Sequence, residues 1–156
     1  MNNVKILLAG PGTGKTTRVK EIIKNSGDSK KILVLSFTNA TIDDLLHSFE
    51  EEHINIDFSD CLTLHKYALK VNHLTDFHII NSDEELILNY YAQTLDITYE
   101  QLLKIFHCIS FNGMIESCTD FIKANPVYAK DKIGELDLLI VDEYQDFNEI
   151  ERNFIE

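Results

Sequence analysis

Ala9-Gly10-Pro11-Gly12-Thr13-Gly14-Lys15-Thr16, with Thr17 directly after it, places three glycines, a lysine and three threonines within one short stretch. Glycine has no Cβ, so a backbone built on it can wrap closely round an anion and turn successive N–H groups toward phosphate oxygens. A lysine closing such a turn reaches the β- and γ-phosphates of a nucleoside triphosphate, and the hydroxyl of Thr16 is a hard oxygen ligand suited to Mg²⁺. A second cluster, Asp142-Glu143-Tyr144-Gln145-Asp146, supplies carboxylates. Asp142 is expected to hold Mg²⁺ through water, and Glu143 to act as the base that positions an attacking water. Two acids after an apolar run say little alone. With a phosphate-binding loop upstream, they complete the parts needed for phosphoryl transfer from ATP with Mg²⁺ as cofactor.

Such groups work only if the chain holds them at strand ends and helix starts. Val4–Ala9 is a short apolar run ending in glycines and reads as a buried parallel strand. Apolar residues at helical spacing (Val19, Ile22, Ile23) follow from Lys15 to about Asn25, with Gly27 as a stop. Lys31–Phe37 reads as a second buried strand, and about Ala40 to Glu52 as a helix capped by Asn39 or Thr41, with Ile42, Leu45, Leu46 and Phe49 on one face. Leu136–Val141 reads as a further buried strand that delivers Asp142 at its carboxyl end, where ligands bind in parallel sheets. Alternating strands and helices imply an α/β fold with a parallel sheet flanked by helices.

Residues 66–135 read differently. Thr63 is expected to cap a helix running to about Val71. Ser82 with Glu85 and Thr98 with Gln101 form capping-box patterns, and a helix from about Met114 should stop before Pro126. No segment there reads as a strand, so this stretch is expected to be a helical insertion on a core made of residues 1–65 and 136–156. Asn148 with Glu151 caps a last helix.

Composition narrows the class. The 156 residues are 44% apolar and 10% aromatic, enough for a core of one domain or one domain with a small lobe. No apolar run approaches the roughly 20 residues of a membrane span, and the N-terminus does not read as a secretory signal. Cys61, Cys108 and Cys118 are odd in number and widely spaced, which fits a reduced, cytoplasmic protein. Cys61 with His65, and His107 with Cys108, lack a second close-spaced ligand pair, so packing explains them better than a metal does. The net charge of −12 opposes long-range attraction to nucleic acid phosphates but leaves nucleotide binding, a matter of a few local groups, untouched. Glu50-Glu51-Glu52 reads as a solvated helix end.

Four segments, in order, now share a pattern: Ala9–Thr16, Ser36-Phe37-Thr38-Asn39, Thr63-Leu64-His65 and Asp142–Asp146. In this the chain resembles the N-terminal, first RecA-like domain of superfamily 1 DNA helicases of the UvrD/Rep type. That family's pattern is Ala-Gly-x-Gly-x-Gly-Lys-Thr, Thr-Phe-Thr-Asn, Thr-x-His and Asp-Glu-x-Gln-Asp. The Gln directly after Asp-Glu-x separates this group from Upf-type relatives.

The resemblance implies a P-loop NTPase that hydrolyses ATP and couples it to movement along single-stranded DNA. It implies that Gln145 links the γ-phosphate to the strand-binding surface, and that Phe37, Thr38, Asn39, Thr63 and His65 contact DNA. From the residues alone, Phe37 could equally be core, Thr63 a helix cap and His65 a packed histidine. The insertion resembles the family's first accessory subdomain. The family's glutamine-bearing adenine-reading segment, second RecA-like domain and arginine finger have no counterpart in these residues. The expectation is an excised domain or a truncated gene product that hydrolyses ATP slowly and binds single-stranded DNA weakly. Two other classes fit the phosphate loop: a stand-alone nucleotide or metabolite kinase, and a non-enzymatic nucleotide-sensing module. A kinase needs a basic lid, and only Arg18 and Arg152 are present.

Overall fold

The computed structural model describes residues 14–26, 30–54, 56, 60–72, 76–133 and 136–156. The expected strand Val4–Ala9, the loop residues Ala9, Gly10, Pro11, Gly12 and Thr13, and the stop at Gly27 lie outside them. The chain divides into two compact units: residues 1–63 with 135–142, and residues 64–134 with 143–156.

Among the described residues, the first unit is a three-stranded parallel sheet with helices, the expected α/β arrangement. Its strands are β1 (Ile32–Ser36), β2 (Cys61–Thr63) and β5 (Leu138–Val141), in the spatial order β2-β1-β5. β1 is central among them and buried along its whole length, as its unbroken apolar run requires. Val34 pairs with Cys61 on one side and with Ile140 on the other. Helices α1 (Lys15–Ser26) and α2 (Asn39–Glu51) bury Val19 and Ile23, and Ile42, Leu45 and Phe49, in one cluster with Ile32, Val34 and Cys61. The start of β5 is clamped as well: the Lys31 N–H donates to Asp137 Oδ2 at 3.0 Å, and the Asp137 N–H to the Lys31 carbonyl at 2.9 Å.

The cap of α2 is Thr38, not Asn39 or Thr41. Thr38 leaves β1 in an extended conformation and its Oγ1 accepts the Thr41 N–H at 3.1 Å, whereas Asn39 is already helical. The acidic end of α2 is more than a solvated tip. Glu52 accepts hydrogen bonds from Lys20 and, at 2.6 Å, from Lys24, both on α1.

The second unit contains α3 (Leu64–Asn72), β3 (His78–Ile80), α4 (Ser82–Leu95), α5 (Tyr99–Phe106), β4 (Cys108–Ser110), α6 (Phe111–Ala124), α7 (Pro126–Ile133), a 3-10 turn (Tyr144–Asp146) and α8 (Glu149–Ile155). It is not wholly helical: β3 and β4 form a parallel pair, His78 opposite Cys108 and Ile80 opposite Ser110. Three-residue strands between helix ends carry no alternation that a period could reveal. The capping box of α4 is Asn81 with Glu84, one residue earlier than Ser82 with Glu85, because Asn81 is the extended residue. Thr98 with Gln101, and Asn148 with Glu151, form boxes as their spacing implies. Thr63, expected as the cap of α3, ends β2, and α3 begins at the next residue, Leu64. α6 starts at Phe111 on a Ser110 cap, ahead of Met114, and Pro126 opens α7 rather than only closing α6.

Residues 143–156, expected with the sheet, group with these helices. Packing is the reason. α8 lies against α6, Tyr67 and Phe154 approach to 6.4 Å between ring centroids, and Asn148 Nδ2 donates to Asn112 Oδ1 at 3.1 Å. Among the described residues, no helix is long and apolar enough to cross a membrane.

Candidate nucleotide site

Gly14 has φ +83°, a left-handed conformation that strains any residue with a Cβ, and the next residue begins α1. The Arg18 N–H donates to the Gly14 carbonyl at 3.0 Å, so the turn leads straight into helical hydrogen bonding. Lys15 is half-buried and Thr16 and Thr17 are exposed. No acidic residue stands in the first turn of α1, and the positive end of a helix favours an anion.

Across the sheet, the carboxyl edge carries a polar row. Ser36 pairs in register with Thr63. Leu35 pairs with Val141, and the Asp142 N–H continues that ladder to the Leu35 carbonyl at 2.8 Å, which brings Asp142 level with Ser36. Side chains alternate along a strand, so Thr63, Ser36 and Asp142 share the face of Cys61, Val34 and Ile140. That is the face on which α1 packs through Val19 and Ile23. The first unit therefore gathers the helix opened by Gly14, Lys15 and Thr16 and the strand ending at Asp142 on one side of one sheet.

The donor set suits Mg²⁺. Thr16 and Asp142 offer hard oxygens, and the Ser36 hydroxyl is buried without a hydrogen-bond partner among the described residues. An orphaned polar atom beside a carboxylate is what a hydrated cation would satisfy. Ser36 ended the apolar strand as part of a motif in the sequence. Its one signal there was a hydroxyl where the run Ile32–Leu35 would have continued apolar.

Glu143 and Gln145 belong to the second unit and touch each other: Gln145 Nε2 donates to Glu143 Oε2 at 2.5 Å. Glu143 itself sits at φ 53°, ψ 40°. Of the four non-glycine residues with positive φ among those described, Asp96 and His107 cap α4 and α5, and His53 follows the end of α2. Only Glu143 adopts this conformation between a strand and a 3-10 turn. Left-handed geometry at helix ends is ordinary, whereas elsewhere it collects at functional positions.

The residues expected to touch DNA separate into two groups. Phe37 is 40% exposed, and Thr38 and Asn39 are exposed at the start of α2, although the Thr38 hydroxyl also caps that helix. Thr63 is 6% exposed within the polar row. His65 is a packed histidine. Its side chain is 17% exposed, its ring stands edge-on to Phe111 at 5.0 Å, and Nε2 lies 3.2 Å from Glu151 Oε1. That approach is not aligned as a hydrogen bond. Burial lowers the His65 pKa from its usual 6.5, outweighing the upward pull of Glu151. In the sequence Glu151 reads only as part of a cap, and no local pattern marks its second oxygen as a partner for this ring. Cys61 and Cys118 are buried, which pushes each thiol up to about 11 and leaves them inert.

No curated protein matches the chain. The family described as AAA domain matches it over residues 1–156. With a glycine-opened helix and an acidic strand end on one face of a parallel sheet, the chain belongs to the AAA domain family, a P-loop NTPase-related group found in UvrD/Rep-like helicases.

Proposed function

We propose that this chain is the ATP-binding part of a DNA helicase or DNA-dependent ATPase of the UvrD/Rep type. The observation that carries the nucleotide site is the common sheet face shared by α1, with Gly14, Lys15 and Thr16 at its start, and by Asp142 at the end of β5. Ala9–Thr17 wraps the phosphates with backbone N–H groups, and Lys15 places its ammonium on the β- and γ-phosphates. Thr16 and Asp142 hold Mg²⁺, which when bound neutralises charge on the phosphoryl oxygens. Glu143 accepts the proton of the attacking water, and Gln145 keeps its carboxylate oriented through their hydrogen bond.

The helicase reading rests on the order of the four motifs and on an exposed Phe37-Thr38-Asn39 segment directly after the central strand. Phe37 stacks a base there, a contact worth about 1–3 kcal/mol. Thr63, on the strand paired with β1, is 6% exposed and offers that surface little. The test is binding of a fluorescent single-stranded oligonucleotide to the chain. Weak binding that falls with rising salt and drops about fivefold or more in Phe37→Ala supports the reading. Binding that ignores both salt and Phe37 removes the DNA-dependent part and leaves a nucleotide-binding module.

A further inference from the structure

Ser36 ends a strand whose other residues are all apolar, and it is fully buried, with 0% exposure. Its Oγ has no hydrogen-bond partner among the described residues. A buried hydroxyl without a partner is unfavourable, and native interiors hold few of them. Alanine at this point would avoid the penalty with little change in volume. Among the described residues nothing accounts for the hydroxyl, and a group that reaches it when the site is filled would.

Its neighbours say what that is. Ser36 stands in register with Thr63 on one side and level with Asp142 on the other. All three lie on the face that carries α1, the helix opened by Gly14, Lys15 and Thr16. Mg²⁺ bound to a nucleotide keeps several of its waters, and each water polarised by the cation needs an acceptor. A serine oxygen has lone pairs for one such water, and its own proton can go to a carboxylate.

We propose that Ser36 is a positioning residue of the nucleotide site, whose buried hydroxyl accepts a hydrogen bond from the water shell of Mg²⁺ on the Asp142 side. The assignment rests on the reading of this site as one for Mg²⁺–nucleotide. Ser36 then has two states. Without ligand it is a small cost to the fold, and with Mg²⁺–nucleotide it is a partner outside the direct ligands that fixes where the metal sits.

The test uses the whole chain with ADP as probe, in wild type, Ser36→Ala and Ser36→Thr. Melting is followed without ligand, and ADP affinity is measured by calorimetry in Mg²⁺ and in EDTA. Ser36→Ala should melt at or above the wild-type temperature, bind ADP equally in EDTA, and lose about tenfold of the gain that Mg²⁺ confers. Ser36→Thr, which restores the hydroxyl, should recover most of that gain. If Ser36→Ala melts lower while its Mg²⁺ gain is intact, the hydroxyl serves the fold and the proposal is overturned. It is equally overturned if Ser36→Thr recovers melting but not the Mg²⁺ gain. Wild-type chain that binds no ADP in Mg²⁺ would instead defeat the nucleotide-site reading beneath it.

Discussion

Glu151 uses its two carboxylate oxygens on two different partners: Oε2 accepts the Asn148 N–H at 2.7 Å, closing the cap of α8, and Oε1 faces His65 Nε2 at 3.2 Å. Glu151 is 3% exposed, the one buried charged residue among those described. The histidine of the Thr-x-His segment is thus packed against the helix that follows Asp-Glu-x-Gln. An i, i+3 pattern in the sequence announces only the first of the two contacts.

Because burial lowers the His65 pKa, the unfolded chain takes up this proton more readily than the folded one. Stability from the neutral ring is then fully present above about pH 6.5 and is lost as pH falls through the folded-state pKa. Melting temperature should fall between pH 7.5 and 5 in wild type and fall less steeply in His65→Gln. In Glu151→Gln, which keeps the cap but removes the anion, the NMR titration of the His65 ring should move to still lower pH. Movement to higher pH would show that Glu151 does not act on the ring as a charge.

Mg²⁺–ADP should raise the melting temperature by mass action, since only the folded loop and helix start can bind it. At a ligand concentration about a hundred times Kd, the stabilisation is about 2.7 kcal/mol. Lys15→Ala should remove most of the shift by taking the positive charge off the phosphates. An undiminished shift in that variant would mean that the anion binds elsewhere.

Lys20 and Lys24 of α1 converge on Glu52, whose pKa is lowered from 4.5 to about 2, first by the hydrogen bond from Lys20 and then by that from Lys24. Stability from this ionised carboxylate is present above pH 4.5 and disappears as pH falls toward 2. Acid unfolding of Glu52→Gln should therefore be shallower than wild type over that interval. The difference should shrink in high salt, because the pair is open to solvent. Parallel acid profiles at low salt would show that the bridge between α1 and α2 contributes nothing.

Phe49 is almost wholly buried in the cluster that holds α1 and α2 against β1. Phe49→Ala should cost about 3–5 kcal/mol in chemical denaturation, through lost burial and the cavity left behind. Nucleotide affinity measured well below the unfolding transition should change much less, since Phe49 lies toward the far end of α2 from Ser36 and Thr38. A loss below 1 kcal/mol would mean that this cluster is not the core of the sheet unit.

The sequence by itself determined what depends on neighbours in the chain. The apolar run Ile32–Leu35 had to be a buried strand, Ile42, Leu45 and Phe49 had to face one way from a helix, and Asn148 could reach the N–H of Glu151 because three residues separate them. Gly14 before Lys15 likewise marked a close loop leading into a helix. Tertiary structure decided whatever depends on partners far along the chain. β3 and β4 exist only because each covers the other's backbone, and three residues are too few for either to declare itself alone. His65 is enclosed because Glu151 and Phe111 come to it from segments dozens of residues away. Ser36 stands beside Asp142 because parallel pairing of β1 with β5 brings strand ends together across about a hundred residues. Hydrogen-bond register sets that juxtaposition, and register is a property of two strands at once, legible in neither of them separately.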